Sequence, residues 1–143
     1  YYRKAVKDLG LKKELGTWVN VPEHASRADY FQDFTDVLKT TDILWTKPSE
    51  MSFYCGLGIA VIMAPPIGSQ EEFNRVWLTY MGGGVSQNDP RYTDEWLFDW
   101  VASGGVARMA WSGYIEAPTH GAYRIEDLVL GQKSEIHPLP LIV

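Results

Sequence analysis

Short apolar runs alternate along the chain with longer segments in which apolar residues recur every three or four positions. The runs predict strands and the periodic segments predict helices. The clearest run, residues 59–64 (IAVIMA), is apolar throughout, as expected for a strand that is covered on both faces. The clearest helical period lies within residues 28–39, where one face is formed by Phe31, Phe34, Val37 and Leu38.

The remaining elements follow the same two patterns. Further strands are predicted at residues 18–21 (WVNV), 43–46 and, as a short fourth strand, 85–86. Further helices are predicted at residues 1–15, 49–56, 69–81, 93–102, 106–114 and 123–130. Because strand and helix alternate, we predict an α/β, Rossmann-like parallel sheet of three to four strands with helices on both faces.

The predicted organisation is one partial domain followed by a tail. Residues 1–131 carry the alternating elements, and residues 132–143, which contain two prolines, are predicted to be extended. A free-standing doubly wound sheet has about five or six strands. With fewer strands, and a first residue that is not methionine, we expect the chain to be a piece of a longer protein.

Composition excludes several classes of function. The net charge of −5 argues against a nucleic-acid partner, and no apolar run reaches the roughly 18 residues of a membrane span. A single cysteine, Cys55, excludes an internal disulfide and favours the cytoplasm. Its apolar surroundings (FYCGLG) predict an inert core residue. The three histidines show no metal-ligand spacing, so no metal site is expected.

Polar residues follow the strand at residues 43–46, at the carboxyl edge where parallel sheets bind ligands. Lys47, Ser49 and Ser52 combine a cation, two hydroxyls and the N–H groups of a helix start, which suits a phosphate. Glu50 can accept hydrogen bonds from ribose hydroxyls. Alternatively, Ser49 only caps the helix and Lys47 is solvated.

A second polar group follows the strand at residues 59–64. Gln70, Glu71 and Asn74 project from the start of one helix, where an amide and a carboxylate can bind sugar hydroxyls. The alternative is structural: Glu71 is a first-turn acid, and Asn74 bonds to a backbone carbonyl of the neighbouring loop. Ser69 and Glu72 have capping-box spacing at this helix start.

The Gln70-Glu71-x-x-Asn74 pattern resembles the nucleotide-sugar half of GT-B glycosyltransferases. The likeness is to the family that holds the peptidoglycan N-acetylglucosaminyltransferase and the monogalactosyldiacylglycerol synthases, and it covers roughly residues 19–86. The other residues that carry the likeness are Asp42, Lys47-Pro48-Ser49, Gly58, Pro65, Gly82 and Gly84.

The resemblance implies a C-terminal domain that binds a UDP-sugar donor, with no cofactor and no metal. Lys47, Ser49 and Ser52 would hold the diphosphate, and Gln70, Glu71 and Asn74 the sugar. Glu50 and His24 are then the candidates for the ribose and the nucleoside. The acceptor site and the catalytic base, whose residues are unknown, would belong to a missing N-terminal domain or partner chain, so these 143 residues alone should be inactive.

The sequence also departs from the family pattern. The family glutamate that binds the ribose aligns near Phe53 instead of Glu50, and Ala60 replaces a proline. These departures favour an alternative, a non-catalytic Rossmann-like module for sugar-nucleotide sensing or assembly. A weaker alternative is a nucleotide-sugar epimerase, for which Glu71 and His24 are the only ionisable candidates near the sugar.

Overall fold

The computed structural model describes residues 2–118 and 120–131, so the predicted tail at 132–143 lies outside the described residues. The chain divides after residue 40 into two compact units. The helices are α1 (Tyr2–Asp8), α2 (Arg27–Leu38), α3 (Met51–Gly56), α4 (Ser69–Tyr80), α5 (Thr93–Ala102), α6 (Gly105–Glu116) and α7 (Gly121–Val129). The strands are β1 (Ile43–Thr46), β2 (Ala60–Met63) and β3 (Gly84–Ser86), and short 3₁₀ turns occur at Leu11–Lys13 and Pro90–Tyr92.

The N-terminal unit contains α1 and α2. The predicted helix over residues 1–15 is only half formed, because Gly10 adopts a left-handed conformation (φ 67°) shortly after α1 ends. Helix α2 confirms the predicted helix over residues 28–39. It begins after Ser26, whose hydroxyl accepts a hydrogen bond of 3.1 Å from the N–H of Asp29.

The strand predicted at residues 18–21 is wrong. Residues 18 and 19 instead belong to a tight turn, in which the N–H groups of Trp18 and Val19 both donate to the carbonyl of Glu14 at 3.0 Å. Among the described residues of this unit, the only β-bridge is an isolated one between Leu15 and Val19. A β-branched and aromatic composition favours a strand only where a neighbouring strand can pair with it, and in this unit turn hydrogen bonds take that place.

The C-terminal unit is built on a parallel sheet in the order β1-β2-β3. Ile43 pairs with Ala60, and Val61 pairs with Gly84. The predicted strands at 43–46, 59–64 and 85–86 are therefore confirmed, as is an α/β fold with an open three-stranded parallel sheet. This arrangement is consistent with a Rossmann-like fold, in which helices connect parallel strands.

Strand β2 forms the centre of the core, and all four of its residues are buried. On one face, Val61 and Met63 belong to a cluster with Met51, Cys55, Leu78 and Ala117. On the other face lie Ile62 and its register partner Trp45, whose ring contacts Trp96 of α5 at 5.5 Å. Helices therefore cover β2 from both sides, which explains the unbroken apolar run in the sequence.

Helix α6 approaches α3 and the start of β3 closely. A Cβ atom on Gly113 would lie 3.3 Å from the Cβ of Cys55 and 3.4 Å from the Cα of Gly83. Cys55 is fully buried there, as the sequence predicted, and burial raises the pKa of its thiol to about 11. The thiol is consequently protonated at neutral pH and serves as a small apolar side chain.

The helices of the described ranges are short, with a maximum of 12 residues in α2, α4 and α6. None of them is long and apolar enough to cross a membrane.

Replacement of Gly84 by alanine tests the packing of α4 on the sheet. The new Cβ would lie 2.6 Å from Leu78 Cδ2 and 2.8 Å from the carbonyl oxygen of Val61. Since one of these atoms is backbone, we expect Gly84→Ala to lower the free energy of unfolding by about 1–3 kcal/mol in urea titration. The matched control is Gly121→Ala at the first position of α7, where no atom of the described residues lies within 4 Å of the new Cβ. Equal stability of the two variants would contradict this packing.

Candidate functional site

The loops that follow β1 and β2 meet at the carboxyl edge of the sheet. The ammonium Nζ of Lys47 lies 3.4 Å from Oε1 of Glu71. The side-chain amide of Asn74 donates a hydrogen bond of 2.9 Å to the carbonyl oxygen of Pro48. Residues from the two polar groups noted in the sequence thus share one rim, with a cation and a carboxylate at its centre.

Glu71 is held in place by a backbone donor that the sequence did not reveal. Its Oε2 accepts a 2.7 Å hydrogen bond from the N–H of Ile67. This hydrogen bond, together with the charge of Lys47, keeps the pKa of Glu71 below its ordinary value of 4.5. The carboxylate is therefore ionised and oriented at neutral pH, while its side chain remains 22% exposed.

Asn74 links the two loops in the way that the structural alternative predicted. The residue is partly buried, and its acceptor, the Pro48 carbonyl, belongs to a fully buried proline at the end of β1. A hydrogen bond of this kind anchors the loop to α4. The oxygen Oδ1 of Asn74 has no other partner in the described part of the chain and remains available as an acceptor.

The predicted cap at Ser49 is wrong. Helix α3 begins at Met51, and the cap position belongs to Glu50, whose backbone is left-handed (φ 33°, ψ 35°). Because the chain turns at Glu50, Ser49 cannot reach the helix start, and its hydroxyl donates to Oε2 of Glu50 at 3.1 Å. A non-glycine residue in this conformation is strained, a feature that is found at functional loops.

The N-terminus of helix α3 is expected to contribute little to binding a diphosphate. With six residues it aligns little more than one turn of peptide dipoles. Ser52 is exposed in its first turn. Lys47, 54% exposed, is therefore the main positive group of this loop.

The predicted capping box at the start of α4 does not form. The helix begins at Ser69, and Gly68 takes the cap position without a side-chain hydrogen bond. Glu72 instead pairs with Arg75, whose Nε lies 2.9 Å from Oε2. Gln70 is exposed, and within the described residues its side chain has no hydrogen-bond partner.

His24 belongs to the N-terminal unit. Its Nε2 lies 3.0 Å from Oδ2 of Asp33, and its ring contacts the edge of Tyr30 at 5.5 Å. It lines an open cleft of about 410 Å³, whose other residues are Pro22, Glu23, Asp29, Gln32, Asp33 and Asp36. Four carboxylates around the histidine disfavour a diphosphate here, since like charges repel.

Sequence reasoning missed the polar residues at the carboxyl end of β3. The indole Nε1 of Trp45 donates a 2.7 Å hydrogen bond to Oε1 of Gln87, which ties the end of β3 to β1. The signal was present, because Ser86 and Gln87 are polar residues at the carboxyl end of the strand predicted at residues 85–86. A cleft of about 250 Å³ opens beside them, lined by Met63, Ala64, Pro65, Pro66, Arg75, Ser86 and Gln87.

The chemistry that this edge offers is binding chemistry. It presents an ammonium, an oriented carboxylate and two amides, which together can hold an anion and several hydroxyls. Across residues 2–118 and 120–131, no three His, Cys, Asp or Glu side chains are grouped so that they could hold a metal ion.

Replacement of Asn74 by alanine tests the link between the loops. The change removes the hydrogen bond to Pro48 and leaves a buried carbonyl without its partner, so we expect unfolding to require about 1–2 kcal/mol less. Gln70→Ala, on the same helix but exposed, should change stability by less than about 0.5 kcal/mol. Urea titration of both variants provides the measurement, and the same loss in both would disprove a special role for Asn74.

The stabilisation by Glu71 should depend on pH. Because its pKa is lower in the folded state than its ordinary value of 4.5, the carboxylate stabilises the fold above that pH. This contribution is lost as the pH falls through the folded-state pKa. We therefore expect Glu71→Gln to be less stable than the wild type at neutral pH and to approach it in acid. Urea titrations across this pH range give the free energy of unfolding of both proteins. A difference between them that does not change with pH would contradict the prediction.

Comparisons with protein-family models, with curated proteins and with solved structures find no match for this chain. Any function proposed for the chain therefore depends on the geometry of the carboxyl edge and on the resemblance of the Gln70–Asn74 pattern to that of GT-B glycosyltransferases.

Proposed function

We propose that the C-terminal unit binds the UDP-sugar donor of a GT-B-type glycosyltransferase at the carboxyl edge of its sheet. The observation that supports this proposal most directly is the 3.4 Å approach of Lys47 to Glu71. It brings the predicted diphosphate loop and the predicted sugar helix to one rim, where a single ligand can contact both.

Lys47 is the proposed partner of the diphosphate. Its ion pair with Glu71 joins an exposed ammonium to a partly exposed carboxylate, so screening by water keeps its contribution to stability small. A diphosphate carries more negative charge than one carboxylate and can therefore compete for the ammonium group. In transfer, Lys47 would stabilise the negative charge that develops on the leaving diphosphate.

Gln70 and Glu71 are the proposed partners of the sugar. The N–H of Ile67 fixes the direction of the Glu71 carboxylate, so little rotational freedom is lost when it accepts a sugar hydroxyl. The exposed amide of Gln70 adds a donor and an acceptor on the same turn. Asn74 contributes its free oxygen and holds the loop that carries Lys47.

The proposed role of this unit in catalysis is to position the donor. Holding the diphosphate and the sugar at fixed points places the anomeric carbon for attack, which lowers the entropy cost of the reaction. The resemblance assigns the acceptor site and the catalytic base to a separate domain or partner chain.

A non-catalytic module is the second candidate, and one observation favours it. Lys47 pairs with Glu71, and the Asn74 amide donates to the Pro48 carbonyl, so these groups are partners of one another within the protein. Contacts of this kind also occur where loops only stabilise a scaffold. Such a module would bind the sugar nucleotide as a sensor, or would take part in assembly.

Titration calorimetry of the full-length protein with UDP and UDP-sugars tests the proposal. We expect Gln70→Ala/Glu71→Gln to weaken UDP-sugar binding about tenfold or more while UDP binding changes little. Lys47→Ala should weaken both ligands, because both contain the diphosphate. Lys39→Ala is the matched control, an exposed lysine that pairs with Asp36 in α2's last turn.

Absence of heat with millimolar UDP and UDP-sugars would refute donor binding. Equal losses for UDP and UDP-sugar in the double variant would remove Gln70 and Glu71 from the sugar site. If the donor binds, product analysis with and without an acceptor separates the two candidates, since a sensor releases no UDP.

A further inference from the structure

We propose that the cleft between the carboxyl ends of β2 and β3 binds a small carboxylate that carries an apolar body. This cleft is separate from the Lys47–Glu71 rim, and the proposal does not depend on donor binding. Three features of its lining support it: an arginine with an open edge, two unused donors and apolar walls.

Arg75 supplies the charge. Its guanidinium is bound along one side by Glu72, through Nε and Nη2. This contact leaves the end-on edge, formed by Nη1 and the second N–H of Nη2, with no partner in the described part of the chain. A guanidinium edge of this shape binds a carboxylate through two parallel hydrogen bonds. The Glu72 contact also restricts the side chain, which lowers the entropy cost of binding.

Ser86 and Gln87 supply further donors. Because the indole N–H of Trp45 can only donate, the Gln87 oxygen must face Trp45. The Gln87 NH₂ group is then left without a partner among the described residues, as is the hydroxyl of Ser86. Among the described residues, no carboxylate side chain lines the cleft. The unpaired side-chain groups of Arg75, Ser86 and Gln87 can all donate, which favours a ligand that accepts hydrogen bonds.

The size and walls of the cleft select the rest of the ligand. A volume of about 250 Å³ is below the usual range for drug-sized ligands. Met63, Ala64, Pro65 and Pro66 also line the cleft and add apolar surface to it. A free phosphate would leave this apolar surface uncovered, whereas a short aliphatic or aromatic acid can contact it as well as the donors.

The test is an NMR titration of the full-length protein with benzoate and hexanoate, and with their neutral amides. We expect saturable shifts of the Ser86 and Gln87 amide signals with at least one of the acids in the millimolar range. The amides, which have the same shape without the charge, should bind at least about tenfold more weakly.

Substitutions locate the site. Arg75→Gln should weaken acid binding about tenfold or more. The affinity of Arg75→Lys should lie between those of the wild type and Arg75→Gln, because lysine keeps the charge but loses the paired hydrogen bonds. Arg91→Gln is the matched control, since Arg91 forms a similar pair with Asp89 outside the cleft. The NMR spectrum of each variant, compared with that of the wild type, shows whether the variant is folded.

Lack of saturable binding by both acids would overturn the proposal, as would equal binding of acids and amides or an unchanged affinity in Arg75→Gln. UDP titrations of the same samples report on Lys47 and Gln70. Failure of the carboxylate site is therefore distinguishable from failure of the donor site.

Discussion

Burial of β2 on both faces is the constraint on which the C-terminal unit depends. The four residues from Ala60 to Met63 are at most 1% exposed. A parallel strand in this position needs neighbours that run in the same direction, and each neighbour requires a crossover helix. Helices α3 and α4 meet that requirement and contribute to the cluster around Val61 and Met63. The position of the loops at the carboxyl edge follows from this packing.

The loops are arranged around the first turns of α4. The side chains of Glu71 and Asn74 reach the loop after β1, where they contact Lys47 and Pro48. Arg75, the next residue, instead lines the cleft beside β3. One helix start therefore separates two surfaces of different character, one that carries both charges and one that offers mainly donors. Two ligands of different chemistry could be bound side by side without sharing a residue.

Much of the candidate site was predictable because it depends on strand and helix order. The apolar run at residues 59–64 indicated β2, and polar residues after two parallel strands had to lie at one edge. The local errors have a different origin. Serine is a residue type that often caps helices, but the left-handed backbone of Glu50 displaces Ser49 from the helix start. Residues 18–21 have strand composition, but the N–H groups of Trp18 and Val19 donate to the carbonyl of Glu14 in a turn.

The sequence by itself determined the α/β class, the strands at residues 43–46, 59–64 and 85–86 and the edge at which polar groups gather, since these follow from periodicity and chain direction. It also predicted a strand at residues 18–21 that does not form. Only the tertiary structure decided which groups pair: Ile67 N–H with Glu71, Pro48 carbonyl with Asn74, and Trp45 with Gln87. The last two pairs join residues that are 26 and 42 positions apart in the chain. Two of the three use backbone groups, which nearly every residue carries, so the sequence does not tell which of them will be the partner.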